Sequence, residues 1–130
     1  MTEEELNEMT HQVIGVAIEV HRELGPGLLE RVYQRCLKLA LEEAGFDVQI
    51  EVPVQIVFRG HRIDDEGYRL DLLINDVLVI ELKSVAGLAD VFFKQLGTYL
   101  RLAHKPCGLL INFNVPILRD GIKRIRNGYL

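Results

Sequence analysis

Seventeen residues constrain the fold more than any others: "YRLDLLINDVLVIELKS", Tyr68 to Ser84. Two apolar runs flank a short Asn75-Asp76 break, the pattern of a hairpin whose strands lie inside a sheet. Yet Asp71, Glu81 and Lys83 sit within those runs, where an ionised group is costly unless it has a partner. Side chains alternate along a strand, so Val77, Val79, Glu81 and Lys83 share one face and Leu78, Ile80 and Leu82 the other.

Whether Asp71 meets Glu81 depends on register. A two-residue loop, Asn75-Asp76, pairs Ile74 with Val77 and sets the two carboxylates on opposite faces. A three-residue loop, Asn75 to Val77, pairs Ile74 with Leu78 and Asp71 with Glu81. The expected arrangement is the one that brings the acids together. Adjacent carboxylates repel unless one keeps a proton or a cation lies between them. Oxygen-only ligation favours magnesium or manganese. The bland alternative is a Lys83–Glu81 ion pair at a strand end.

The remaining chain frames this hairpin. Thr2 and Glu5 have capping-box spacing, and Leu6, Met9, Val13, Val16, Ala17, Val20 and Leu24 recur at helical period until Gly25-Pro26-Gly27. A second helix is expected from Leu28 to Ala44, with a stripe of Leu29, Val32, Cys36 and Ala40. "FDVQIEVPVQIVF" alternates like a strand, with Pro53 marking an edge, a bulge or a break. "RGHRIDDEG" reads as turn or loop. "AGLADVFFKQLGTYLRLAHK" returns to helical period, with Leu88, Val91, Phe92, Leu96, Tyr99, Leu102 and Ala103 on its apolar face. Gln95 falls on that face, one turn from Tyr99, so their polar tips can converge. "CGLLINF" reads as a short buried strand, and the tail "RDGIKRIRNGYL" as strand or helix. The order α-α-β-β-β-α-β implies an α/β (α+β) fold with a mixed central sheet flanked by helices.

With 130 residues, 48% hydrophobic and 26% charged, one domain over residues 1–130 is expected. No apolar run reaches membrane-spanning length, and the acidic start "MTEEEL" is unlike a signal peptide. Cys36 and Cys107 lack metal-ligand spacing and read as reduced thiols, which fits a cytoplasmic protein. A net charge of −4 argues against a non-specific nucleic-acid coat, so any basic surface must be local. Arg119, Lys123, Arg124 and Arg126 are one candidate, against the plain reading of a solvated last element. His11, His21, His61 and His104 show no ligand spacing. Glu30 opens the second helix, where an acid also complements the helix dipole.

Asp71 followed after nine residues by Glu81-Leu82-Lys83 resembles the D…(D/E)xK signature of the PD-(D/E)XK nuclease superfamily, with its restriction-endonuclease-like fold. "GLLERVY", Gly27 to Tyr33, is similar to the motif of the superfamily's GxxExxY family. "VHRELGPGLLERVY", "QLGTYL" and "GLLINF" follow that family in order and spacing, and "QLGTYL" also fits the QxxxY motif of RecB-like exonuclease members. The resemblance implies a metal-dependent nuclease acting on nucleic acid, DNA first, with Mg2+ or Mn2+ as cofactor. It implies that Asp71, Glu81 and the Leu82 backbone carbonyl bind metal and that Lys83 positions or activates the attacking water. Glu30 would supply an outer or direct metal contact, and Gln95 and Tyr99 would orient Lys83 or the phosphate. Where family members often carry a histidine three residues before the glutamine, this chain has Phe92. The competing reading is a weak or inactive nuclease-fold module for nucleic-acid or protein binding. A homodimer or larger complex is compatible with a chain of this size.

Overall fold

A computed structural model describes residues 1–64 and 67–127. Asp65 and Glu66 of the expected loop, and Gly128, Tyr129 and Leu130 of the tail, lie outside the described residues.

Helix α1, Glu3–Leu24, starts on the expected capping box: Thr2 accepts from the Glu5 N–H at 3.1 Å and Glu5 reaches back to the Thr2 N–H. Gly25, at φ +72°, ends it by donating to the His21 carbonyl. Helix α2, Glu30–Glu43, buries Tyr33, Gln34, Leu37 and Leu41. That face is rotated from the expected stripe: Val32, Cys36 and Ala40 lie at its margin and Leu29 is exposed. Both sets have the same spacing one position apart, and the larger Tyr33, Leu37 and Leu41 side chains fill the core.

Five strands form a mixed sheet in the order β1 (Val48–Pro53), β4 (Arg69–Ile74), β5 (Leu78–Lys83), β6 (Cys107–Asn112) and β7 (Ile122–Arg126). Pro53 ends an edge strand, where no ladder needs its missing N–H. Only β5 and β6 run parallel, and helix α3, Asp90–Ala103, makes the crossover between them. Among the described residues the expected order is present with three additions. The segment read as a loop contains a strand, β3 (His61–Asp64), paired with β2 (Ile56–Phe58) as a separate ribbon; the tail supplies β7 after a short 3-10 turn. Strand β2 falls within the stretch read as strand, beyond the Pro53 break, whereas β3 escaped detection because it buries no face and so has no apolar period.

Two apolar layers sandwich the sheet. Leu72, Ile74, Leu78, Ile80 and Leu82 pack beneath α1 and α2; Leu73, Val79 and Leu110 pack against Leu96, Tyr99 and Leu100 of α3. Val77, expected to share the face of Val79, instead lies in the turn and packs with the α1–α2 layer. On α3 the buried face is Leu96, Tyr99 and Leu100, so Val91 and Leu102 are exposed. No helix among the described residues is long and apolar enough to cross a membrane.

Candidate active site

The hairpin takes the three-residue register: Ile74 faces Leu78, Leu73 faces Val79 and Leu72 faces Ile80. There the ladder stops. At the next position the carboxylates replace it. The Asp71 N–H donates to Glu81 Oε1 at 3.2 Å, and the Leu82 N–H donates to Asp71 Oδ2 at 2.8 Å.

The cause lies on the neighbouring strand. Ile50 faces Leu72 and Val52 faces Leu70, and between these pairs Glu51 has φ +52°. A non-glycine residue in the left-handed region inside a strand is strained. Its effect is visible in the faces. Ile50 and Leu72 pack on the α2 side, whereas Val52 and Leu70 pack on the α3 side. The strand pair therefore rolls over at Glu51 and Asp71. The roll turns the Asp71 peptide out of the ladder and frees its carbonyl, which accepts from Gln34 Nε2 at 2.9 Å. The same amide donates to Glu51 Oε1 at 3.1 Å. A cavity of about 190 Å³ opens here, lined by Glu30, Arg31, Gln34, Glu51, Asp71 and Leu82.

The electrostatics are those of an uncompensated acidic pair. Burial, and then the charge of Asp71, push the Glu81 carboxyl up to about 8. Burial also raises Asp71, against the Leu82 N–H and Lys83, which favour its charged form; Glu51 and Glu30 add to the rise. Burial and the nearby Glu81 charge raise the Tyr99 phenol.

The Lys83 ammonium lies over the Phe92 ring, 4.6 Å from its centroid, a cation–π contact that holds it in place. So the position where a histidine was expected carries the lysine's support. Gln95 Nε2 donates to the Tyr99 hydroxyl at 3.0 Å, as the one-turn spacing implies. Gln95 itself is exposed, at the shoulder of the α3 core face and not on it, because Leu96 and Leu100 take the centre.

Glu30 owes its place to a lock on the loop before α2. The Tyr33 hydroxyl donates to the Gly25 carbonyl and accepts from the Leu28 N–H at 3.1 Å. Its ring stacks on Phe113 at 4.3 Å. Ser84, next to Lys83, donates to the Leu28 carbonyl at 2.7 Å. Gly27, at φ +100°, makes this turn. Beyond Lys83, buried Asn112 holds the backbone of Val85 through both its amide oxygen and its amide nitrogen.

Sequence reasoning missed Glu51 and Gln34. Gln34 lies one helical turn after Glu30, so helical spacing was a usable signal. Glu51 had none, since strand alternation alone gives no reason to turn it inward. The tail cations divide: Lys123 faces Leu110, the β6 residue level with Glu81, whereas Arg126 lies at the opposite end of the strand, paired with Glu3 and facing Cys107, where β6 begins. His21 is a core residue, bonded to the Val115 carbonyl at 2.8 Å.

A family model described as the PD-(D/E)XK nuclease superfamily matches residues 7–125. The chain belongs to that superfamily. Comparison with curated proteins and with solved structures gives no match. The PD-(D/E)XK assignment accounts for the mixed sheet with helices on both faces and for a nuclease-type fold.

Proposed function

We propose that this PD-(D/E)XK chain is a metal-dependent nuclease that hydrolyses phosphodiester bonds in nucleic acid, with DNA the first substrate to test. The observation that carries the reading is the Asp71–Glu81 pair, Glu81 buried and Asp71 half-buried, interlocked with the Leu82 backbone and, among the described residues, in no ion pair. Two such acids are accommodated by a shared proton or by a cation between them.

The donor set fits a hard divalent ion. Among the described residues no group of three or more His, Cys, Asp or Glu side chains gathers to hold a metal. Asp71, Glu81 and the Leu82 carbonyl would supply the protein's share, and water and phosphate oxygens the remainder. That is how magnesium is commonly bound, and manganese fits the same oxygens. The ion would polarise the scissile phosphate and lower the pKa of a bound water.

This chain's residues would do the rest. Lys83, steadied on Phe92, orients the attacking water and offsets the charge that develops on the phosphate. Glu30 and Glu51, facing the cavity beside Asp71, hold water in the outer shell of the site. The Gln95–Tyr99 pair, near Glu81, orients Lys83 or the phosphate through its free amide and hydroxyl positions.

The test is cleavage of labelled single-stranded and duplex DNA and RNA with Mg2+ or Mn2+. Wild type should cut at least one of them. Lys83→Ala and Asp71→Ala should each lower the rate by about 10²–10⁴-fold. Equal rates in wild type and both variants would refute the assignment. Absence of cutting, with no metal-induced rise in Tm, would leave a nuclease fold used only for binding.

A further inference from the structure

Between Pro53 and Arg69 the chain leaves the sheet as the β2–β3 ribbon, which pairs with no other strand among the described residues. A two-stranded ribbon is marginal by itself. This one nonetheless leaves Val57, Phe58 and Ile63 more than half exposed, at 54%, 59% and 62%. A register shift next to Val57 leaves Ile63 without a facing residue.

The tip is unusual. Phe58 faces His61, and Arg59-Gly60 form the turn, with φ of +51° and +79°. Asn, Asp or Gly takes the first such position with least strain, so an arginine there is a costly choice for folding alone. Its guanidinium lies over the exposed Phe58 ring, 5.0 Å from the centroid. Arg59 gives the tip its positive charge.

The ribbon also springs from the correct end of the sheet. The β1–β4 ladder closes at Pro53 and Arg69, just beyond Glu51 and Asp71, and the Val54 N–H continues it to the Tyr68 carbonyl at 2.8 Å. The root of the ribbon therefore lies beside the level of the acidic pair, while Val57 further out lines a cavity with Gln49, Asp76 and Lys105.

We propose that the β2–β3 ribbon is a strand-gripping arm, in which the Arg59–Phe58 stack takes an unpaired base and its phosphate from a nucleic-acid strand entering the Asp71–Glu81 site. An exposed ring offers any base a stacking face, and a guanidinium beside it offers the phosphate a donor. A chain of net charge −4 needs such a local cationic contact to hold a polyanion. A second copy of this chain fits the tip less well, because self-pairing there sets like charges together.

The proposal rests on the nuclease reading, and the experiment separates the two. Binding is scored with EDTA, by anisotropy of labelled single-stranded DNA, single-stranded RNA and duplex DNA; cleavage is scored separately with Mg2+. The variants are Phe58→Ala, Phe58→Trp and Arg59→Gly. Both sites are solvent-facing, and glycine relaxes the turn. Wild type should prefer a single strand. Phe58→Ala and Arg59→Gly should each weaken that binding about ten-fold, and Phe58→Trp should restore it. Binding unchanged within about two-fold in both variants overturns the arm and leaves the nuclease reading intact. A change confined to sedimentation behaviour, with nucleic-acid affinity unaltered, overturns it in favour of self-association. Ribbon-dependent binding without cleavage keeps the arm and removes the nuclease.

Discussion

The two ends of one hairpin handle charge in opposite ways. At the turn end, the charged and amide side chains find partners within the chain. The Val77 N–H closes the turn on the Ile74 carbonyl, Asn75 exchanges backbone and side-chain bonds with Asp47, and Lys105 holds Asp76 at 2.9 Å. At the open end the ladder is cut short, and Asp71 and Glu81 spend their hydrogen-bonding capacity on backbone N–H groups. Those bonds orient the carboxylates but leave their repulsion in place. The first arrangement is complete as it stands. The second is complete only with a proton or an external cation, and this dependence is what makes it a site.

The largest thermodynamic effect expected from this contrast is a pH dependence carried by Glu81. Its carboxyl titrates near 4.5 when unperturbed and about 8 in the fold. Between those values the folded protein holds a proton that the unfolded chain has released. The stabilisation is therefore full below the lower value and is lost as pH rises through the upper one. In metal-free buffer, Glu81→Gln should become more stable than wild type as pH rises, by on the order of a few kcal/mol near pH 8.5. A cation must displace the same proton. The Mg2+-induced rise in Tm should grow between about pH 6 and pH 8.5 in wild type and vanish in the variant. Urea melts across this range give the answer, and a wild-type-to-variant difference that stays flat with pH defeats it.

A smaller effect is expected one step out from the acids, at the lock that presents Glu30. Tyr33→Phe keeps the ring stack on Phe113 but leaves the Gly25 carbonyl and the Leu28 N–H without the hydroxyl. The loss should be about 1–3 kcal/mol by urea denaturation. Because the same loop is tied to Ser84 beside Lys83, cleavage should fall more than stability alone explains. Unchanged activity in fully folded protein would make the lock purely structural.

What was legible in the sequence follows the same division. Periodicity and capping located α1, the central strands and α3, because those elements bury a face and the burial is written as a repeat. The register of the hairpin was readable as a choice between two loops, and the one that joins the acids is present. Strand β3 was hidden because no face of it is buried, although its partner β2 lies in a stretch that reads as strand. Glu51 was hidden for a different reason. Its place at the cavity comes from a positive φ and a roll of two strands, and no side-chain pattern encodes either. Phe92 shows the limit of motif reasoning: read as a missing histidine, it is in fact the surface on which Lys83 rests.

The smallest effect belongs to the turn end and serves as the control. Asp76→Ala removes the carboxylate that Lys105 contacts, but its side chain is 77% exposed and Lys105 still donates to the Asp76 carbonyl at 3.0 Å. An ion pair so open to solvent contributes less than about 1 kcal/mol. Replacing Asp76 also places alanine at φ +59°, which adds a modest backbone cost. Asp76→Asn tolerates that conformation better and isolates the charge. Asp76→Asn should therefore lie within about 0.5 kcal/mol of wild type at every pH from 6 to 9, with the same metal response and the same cleavage rate. If removing this exposed acid changed the metal response as much as Asp71→Ala does, charge anywhere on the hairpin would suffice, and the distinction between its two ends would collapse.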